Sequence, residues 1–340
     1  MPAMSDIASK QAFPLLRIRE LTVAYCGGRP SPPALHKVTL DLWPGEVVGI
    51  LGESGSGKST LARSTLGLLP KGTHVSGSLL FQGKDLPRQD LATVDESSWR
   101  AIRGAKIAMI FQEPGICLNP VMRVGDQIAE VMRAHSKQEV KQRKQNCKAI
   151  LQEVGFSNVD RIYRAYPHQL SGGQLHRIVI AQALACRPAV VIADEPTRSL
   201  DVTSQTEILK VLKETHKRLG SALIFITHNP ALLAGFADRV AIMYAGRIVE
   251  EGPVLRVLRQ PFHPYTRGLL QLFPNSLGQA ELGHDRRLPV IPGSLTVADQ
   301  FAPGCTFEPR CSERSRVCHN EFPAEEILSD RRVSCFHHGN

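Results

Sequence analysis

The chain has 340 residues, of which 42% are hydrophobic and 21% charged, and its formal net charge is +9. This is the composition of an ordinary soluble globular protein, with length enough to bury a full core in one large domain plus smaller pieces. No apolar run nears the roughly 18 residues that cross a bilayer, and "MPAMSDIASKQAFPLL" lacks the basic start and apolar stretch of a signal peptide, so a cytoplasmic protein is expected.

In chain order, "LLRIRELTVAY" and "ALHKVTLDL" alternate apolar and polar residues as half-buried strands do. "EVVGILG" is a continuous apolar run ending in Gly, which reads as a strand buried on both faces. It runs into "GESGSGKST": Gly52, Glu53, Ser54, Gly55, Ser56, Gly57, Lys58, Ser59 and Thr60. A helix is predicted over 58–69. A strand, then G-x-x-x-x-G-K-[ST], then a helix is the context of a phosphate-binding loop. Its glycines let backbone N–H groups turn inward, and the helix N-terminus adds a favourable dipole. Lys58 then reaches the β- and γ-phosphates of a nucleotide, and the Ser59 hydroxyl ligates Mg²⁺. From 123 to 155 the pattern is helical, with a basic face in "SKQEVKQRKQNCKAILQEVG". "LSGGQ" precedes a helix over 174–186. There the N–H groups of Ser171, Gly172 and Gly173, ahead of Gln174, are free to meet a phosphate. The buried strand "AVVIAD" delivers Asp194 to the metal, and Glu195 follows it, where a carboxylate polarises an attacking water. A helix over 203–219 and the strand "ALIFIT" complete a mainly parallel α/β sheet. Past residue 260, Pro-rich punctuation predicts an irregular appendage.

With the phosphate loop, "LSGGQ" and "DEP" in this order, the chain resembles the ATP-binding subunit of an ABC transporter. The resemblance implies a P-loop cassette with a mainly parallel core sheet, an antiparallel β-subdomain and a helical subdomain at about 115–180. Residues 15–260 would form the cassette and 261–340 an extension. It further implies that Gln112 in "IFQEP" is the glutamine-loop residue, a catalytic residue that also ligates Mg²⁺, and that His228 in "ITHNP" is the switch histidine and catalytic. Asp201 falls in the D-loop, and Tyr25 is the aromatic that stacks on adenine. In this family "LSGGQ" meets the ATP of an opposite subunit, so two cassettes clamp two ATPs head to tail.

"RAIRGAKIAMIFQEPGICLNP", "QPFHPYTRGLLQLFP" and "GCTFEPRC" resemble the peptide-importer branch, which includes dipeptide, oligopeptide and nickel uptake systems. The implied partners are a second cassette, identical or paralogous, two membrane permease subunits and, indirectly, an extracytoplasmic solute-binding protein. The chain would then work peripherally on the cytoplasmic face of the membrane. Ile116, Cys117, His176, Arg198, Ser199 and Asn229 depart from the usual pattern, and Arg198 puts a bulky charge at a crowded dimer seam. The alternative is a soluble ABC-type ATPase acting on nucleic acid or ribosomes. The paired cassettes, coiled coils or zinc fingers typical of that class are missing here, as is arginine interleaved with aromatics, so no nucleic-acid partner is expected.

Of eight cysteines, Cys305, Cys311, Cys318 and Cys335 fall in the last 36 residues. A reducing compartment disfavours disulfides, and the irregular segment offers little apolar periodicity to bury thiols. Their spacing lacks the C-x2-4-C pairs of structural zinc and the C-x2-C run of ferredoxins, yet four thiolates suffice for zinc or a [4Fe–4S] cluster. Resemblance to the importer extension favours the cluster. It is expected to staple a coreless segment away from the ATP site, with Arg310 either offsetting thiolate charge or simply exposed.

Overall fold

The computed structural model describes residues 13–26, 32–83, 88–273, 290–294 and 303–338; the amino-terminal residues 1–12 considered above for a signal lie outside this set. Strands β1 (Leu16–Ala24), β2 (Leu35–Leu42), β4 (His74–Phe81) and the short β5 (Gln89–Asp90) form an antiparallel sheet ordered β2-β1-β4-β5. The second sheet has eight strands. Its members are β3 (Val47–Leu51), β6 (Ile107–Ile110), β7 (Val190–Asp194), β8 (Ala222–Thr227), β9 (Arg239–Tyr244), β10 (Arg247–Pro253), β11 (Glu326–Leu328) and β12 (Arg331–Val333), in the order β11-β12-β10-β9-β3-β8-β7-β6. From β9 to β6 the pairs are parallel, and the remainder are antiparallel.

β3 is buried on both faces, as its unbroken apolar run requires. Val48 and Ile50 pack with Leu16, Ile18 and Leu40 beneath the antiparallel sheet, while Val47 and Leu51 join Ile128, Leu151 and Ile178 of the helices on the other side. A period of two thus sends alternate residues of one strand into two cores.

Several elements differ from the sequence expectation. The helix predicted to reach residue 69 ends at Ser64. Gly67 adopts a φ of +59°, and a Cβ there would stand 2.4 Å from the Trp99 ring, so the chain turns away instead of continuing the helix. The helical stretch 123–155 is two helices, Val124–His135 and Val140–Glu153. Ser136 breaks it by leaving helical backbone while its hydroxyl donates to the Met132 carbonyl at 3.0 Å. The tail is less irregular than its prolines suggest. Helix Pro264–Gln271 forms after the His263 cap, and β12 pairs with β10, Glu250 opposite Val333 and Glu251 opposite Arg332. Gly252 makes room for this, since a Cβ there would lie 2.4 Å from Arg331 Cγ.

Candidate nucleotide-binding site

β3, β8 and β7 are consecutive parallel neighbours, so the segments that follow them emerge at one edge of the sheet. In open α/β sheets this carboxyl edge is where ligands bind. After β3, the chain from Gly52 to Gly57 wraps tightly. A Cβ on Gly52 would lie 2.3 Å from the Met243 carbonyl oxygen, and Gly57, at φ +103°, leaves 2.8 Å to the Ala34 carbonyl oxygen. Gly57 then caps helix Lys58–Ser64. Lys58 is buried, and its Nζ donates to the carbonyls of Gly52 and Glu53, both at 2.8 Å, and to Ser56 Oγ at 3.3 Å. Burial lowers its pKa, against the pull of Glu195, Asp194 and Glu53. A cation held by loop carbonyls keeps the cradle curled around the place a phosphate would take. Tyr25 stands beside it, its hydroxyl sharing a 3.0 Å hydrogen bond with Thr60 Oγ1.

At the end of β7, Asp194 is buried and hydrogen-bonded to Ser59; burial raises its carboxyl pKa, the Ser59 bond opposes the rise and Glu195 adds to it. A hydroxyl and a carboxylate side by side form an oxygen donor set that suits Mg²⁺. Glu195 follows at φ +47°, a left-handed backbone that turns its side chain out of the strand direction. Its Oε1 lies 3.3 Å from His228 Nδ1, after β8, and its Oε2 accepts from Arg198 at 3.2 Å. Arg198 also reaches Gln112, which, with its amide oxygen turned toward the guanidinium, accepts from Nε at 2.9 Å and from NH1. Glu195, His228, Gln112 and Arg198 therefore form one contact group. Arg198 was expected at a dimer seam; its bonds to Glu195 and Gln112 were not foreseeable from its position.

The "LSGGQ" residues stand elsewhere. Ser171, Gly172, Gly173 and Gln174 line a groove with Ser199, Leu200, Asp201 and Ser204, and no residue of Gly52–Thr60 borders it. Ser171 caps helix Gly172–Leu184 in a reciprocal box with Gln174: Ser171 N donates to Gln174 Oε1 at 3.1 Å, and Gln174 N to Ser171 Oγ at 3.4 Å. Added Cβ atoms on Gly172 and Gly173 would meet nothing nearer than Ser204 Oγ at 3.9 Å. Packing within this chain therefore does not demand glycine there. Asp201 caps helix Val202–Leu219 by accepting from Ser204 N at 3.0 Å; hydrogen bonding from the Ser204 side chain and then from that N–H holds its carboxyl below the ordinary range.

The tail corrects two expectations. Its cysteine-bearing segment does not stand away from the ATP site, and Arg310 is neither exposed nor directed at thiolates. Arg310 is buried and forks onto Glu53 of the phosphate loop, at 2.8 and 3.2 Å. Cys305, Cys311, Cys318 and Cys335 line one small cavity with His263, Phe307, Pro323 and Phe336. Among the described residues, no three His, Cys, Asp or Glu side chains are grouped as ligands of one metal ion. Backbone N–H groups two positions on do approach the sulfurs, Glu313 N to Cys311 Sγ at 3.4 Å and His337 N to Cys335 Sγ at 3.3 Å. As free thiols, Cys305 and Cys335 are pushed up to about 11, chiefly by burial.

Comparison with known proteins agrees with this geometry. Residues 35–198 match the ABC transporter family, and residues 249–318 match the C-terminal region of oligopeptide/dipeptide transporters. The dipeptide transport ATP-binding protein DppD of Bacillus subtilis is 41% identical, over 95% of this chain and 94% of its own. The oligopeptide transport ATP-binding protein OppD of Escherichia coli is 37% identical over 98% of this chain and 96% of its own. Among solved structures, the dimeric ATP-binding cassette MJ0796 in a post-hydrolysis state with ADP and Pi superposes with a TM-score of 0.60 at 26% identity, covering 70% of this chain and 98% of that one. The cassette cbiO1 of Clostridium perfringens gives 0.62 at 29%, covering 73% and 91%. The chain is therefore an ATP-hydrolysing member of the ABC transporter family, an ATP-binding subunit carrying the C-terminal region of the oligopeptide and dipeptide transporters.

Proposed function

We propose that this chain drives uptake of peptides, or of nickel or a related small solute, by clamping ATP between two cassettes and passing the motion to a membrane permease. The observation that carries this reading is the convergence of Lys58, the Ser59–Asp194 pair and the Glu195–His228 contact at the carboxyl ends of three adjacent strands. Lys58 and the N–H groups of Gly52–Thr60 hold the phosphates, and Tyr25 stacks on the adenine. Ser59, Asp194 and Gln112 would hold Mg²⁺, which would supply charge neutralisation to the bound phosphates. Glu195 orients and deprotonates the attacking water, and His228 fixes that carboxylate. Ser171, Gly172, Gly173, Gln174 and Asp201 serve the ATP of the opposite cassette. Their glycines, unneeded for packing in this chain, support a role against a partner.

The partner cassette is a second copy or a paralogue, and the assembly includes two permease subunits served by a solute-binding protein. Among the described residues no helix is long and apolar enough to cross a membrane, in keeping with peripheral attachment at the cytoplasmic face. The four tail cysteines would hold a [4Fe–4S] cluster or zinc; their shared cavity and N–H···S contacts support thiolate ligation. Such a metal supplies a cross-link.

Glu195→Gln tests the chemistry. It keeps the shape and removes the base, so nucleotide titration should show ATP bound as before while turnover falls by about 10²-fold or more. Near-normal hydrolysis by the purified variant would remove Glu195 from this role.

A further inference from the structure

Glu53, second residue of the phosphate loop, is gripped on three sides. Its carbonyl accepts from Lys58 Nζ at 2.8 Å, its N–H donates to the Tyr265 hydroxyl at 2.9 Å, and its carboxylate takes the forked pair from Arg310. The last two partners come from the extension, 212 and 257 residues along the chain. Both are anchored. Tyr265 is fully buried, and Arg310, with a side chain 6% exposed, also donates from Nε to the Pro292 carbonyl at 2.9 Å and from NH1 to the Tyr244 hydroxyl at 3.4 Å. Tyr244, Tyr265 and Phe307 pack as a ring cluster, with centroids 4.6 to 5.4 Å apart. Phe307 in turn walls the cysteine cavity, and Arg310 directly precedes Cys311.

We propose that Arg310 and Tyr265 are positioning residues for ATP: they fix Glu53, and through it the carbonyls on which Lys58 rests, so that the extension sets the affinity of the nucleotide site. Two physical effects combine. A glycine-rich loop loses backbone entropy when it is ordered, and a loop already ordered does not lose it on binding. Glu53 also brings a negative charge to a loop that must receive a polyanion, and the buried guanidinium compensates it at close range.

The inference rests on Gly52–Thr60 being the phosphate loop, which Lys58→Ala tests separately. The experiment uses the full chain, with ATP affinity measured by titration calorimetry and melting temperature recorded without nucleotide. Arg310→Ala should raise the ATP Kd about tenfold, because it deletes a forked, charge-assisted pair. Arg310→Lys should recover part of that loss by restoring charge without the fork. Tyr265→Phe keeps the ring and its packing, so it decides the matter should Arg310→Ala fail to fold; a Kd raised about threefold is expected. In steady state these changes should enter KM and leave kcat near its original value, as loss of uniform binding does. Unchanged Kd in a folded Arg310→Ala or in Tyr265→Phe, with only the melting temperature lowered, would reduce the contact to a structural one and overturn the proposal. Unchanged Kd in Lys58→Ala would overturn the loop assignment itself.

Discussion

Arg198 stands where it can restrain the reaction before any partner arrives. Its guanidinium spans Glu195 and Gln112, the two side chains assigned to the attacking water and the metal, and its own side chain is 56% exposed. A carboxylate held by an arginine is less free to swing toward water. Exposure keeps the pair weak, in the range of about 0.2–1 kcal/mol. Arg198→Ser should therefore raise ATP turnover of the isolated chain modestly, by about two- to fivefold. Steady-state rates equal to or below those of the unmodified chain would show that Arg198 does not restrain Glu195. Ser199, next in sequence, sits at φ +66°, so the D-loop backbone is already strained at the point where this arginine leaves it.

At the scale of elements, the phosphate loop and Asp194–Glu195 were legible because each motif lies in one contiguous stretch whose backbone does the work. Gln112, His228 and Asp201 needed family resemblance, since a single polar residue after a strand carries no pattern of its own. β11 and β12 were illegible for a different reason. Each spans three residues, too few for alternation to register, and β12 exists because β10 offers it an open edge. Arg310 and Tyr265 carried no signal either, as nothing local ties them to a residue more than 200 positions earlier. The cysteine segment was read for its metal chemistry, and that reading has its own check. Protein purified without oxygen should contain iron and absorb broadly in the visible. Zinc without iron would keep the staple and discard the cluster. Colourless, metal-free protein with a folded tail would refute both.

At the scale of the whole molecule, the two halves of the proposed composite site lie apart on one chain. The groove holding Ser171 to Gln174 shares no lining with the loop Gly52–Thr60, as the proposed site shared between two cassettes requires. Turnover per chain should therefore climb with protein concentration as pairs form, and a paralogous cassette, if that is the partner, should restore it on mixing. Constant turnover per chain at high dilution would contradict a shared site. The join between β10 and the tail bears on how far this cassette can be treated as portable. Glu250 is fully buried, and its partners are Phe262 N at 2.9 Å, His263 N at 3.0 Å and Arg331 at 3.8 Å, every one beyond residue 260. Cutting the chain there strands a carboxylate in the interior at a cost of about 3–5 kcal/mol and bares the edge of β10 to other chains. A graft or truncation ending at that boundary would carry an aggregation hazard in place of an autonomous motor.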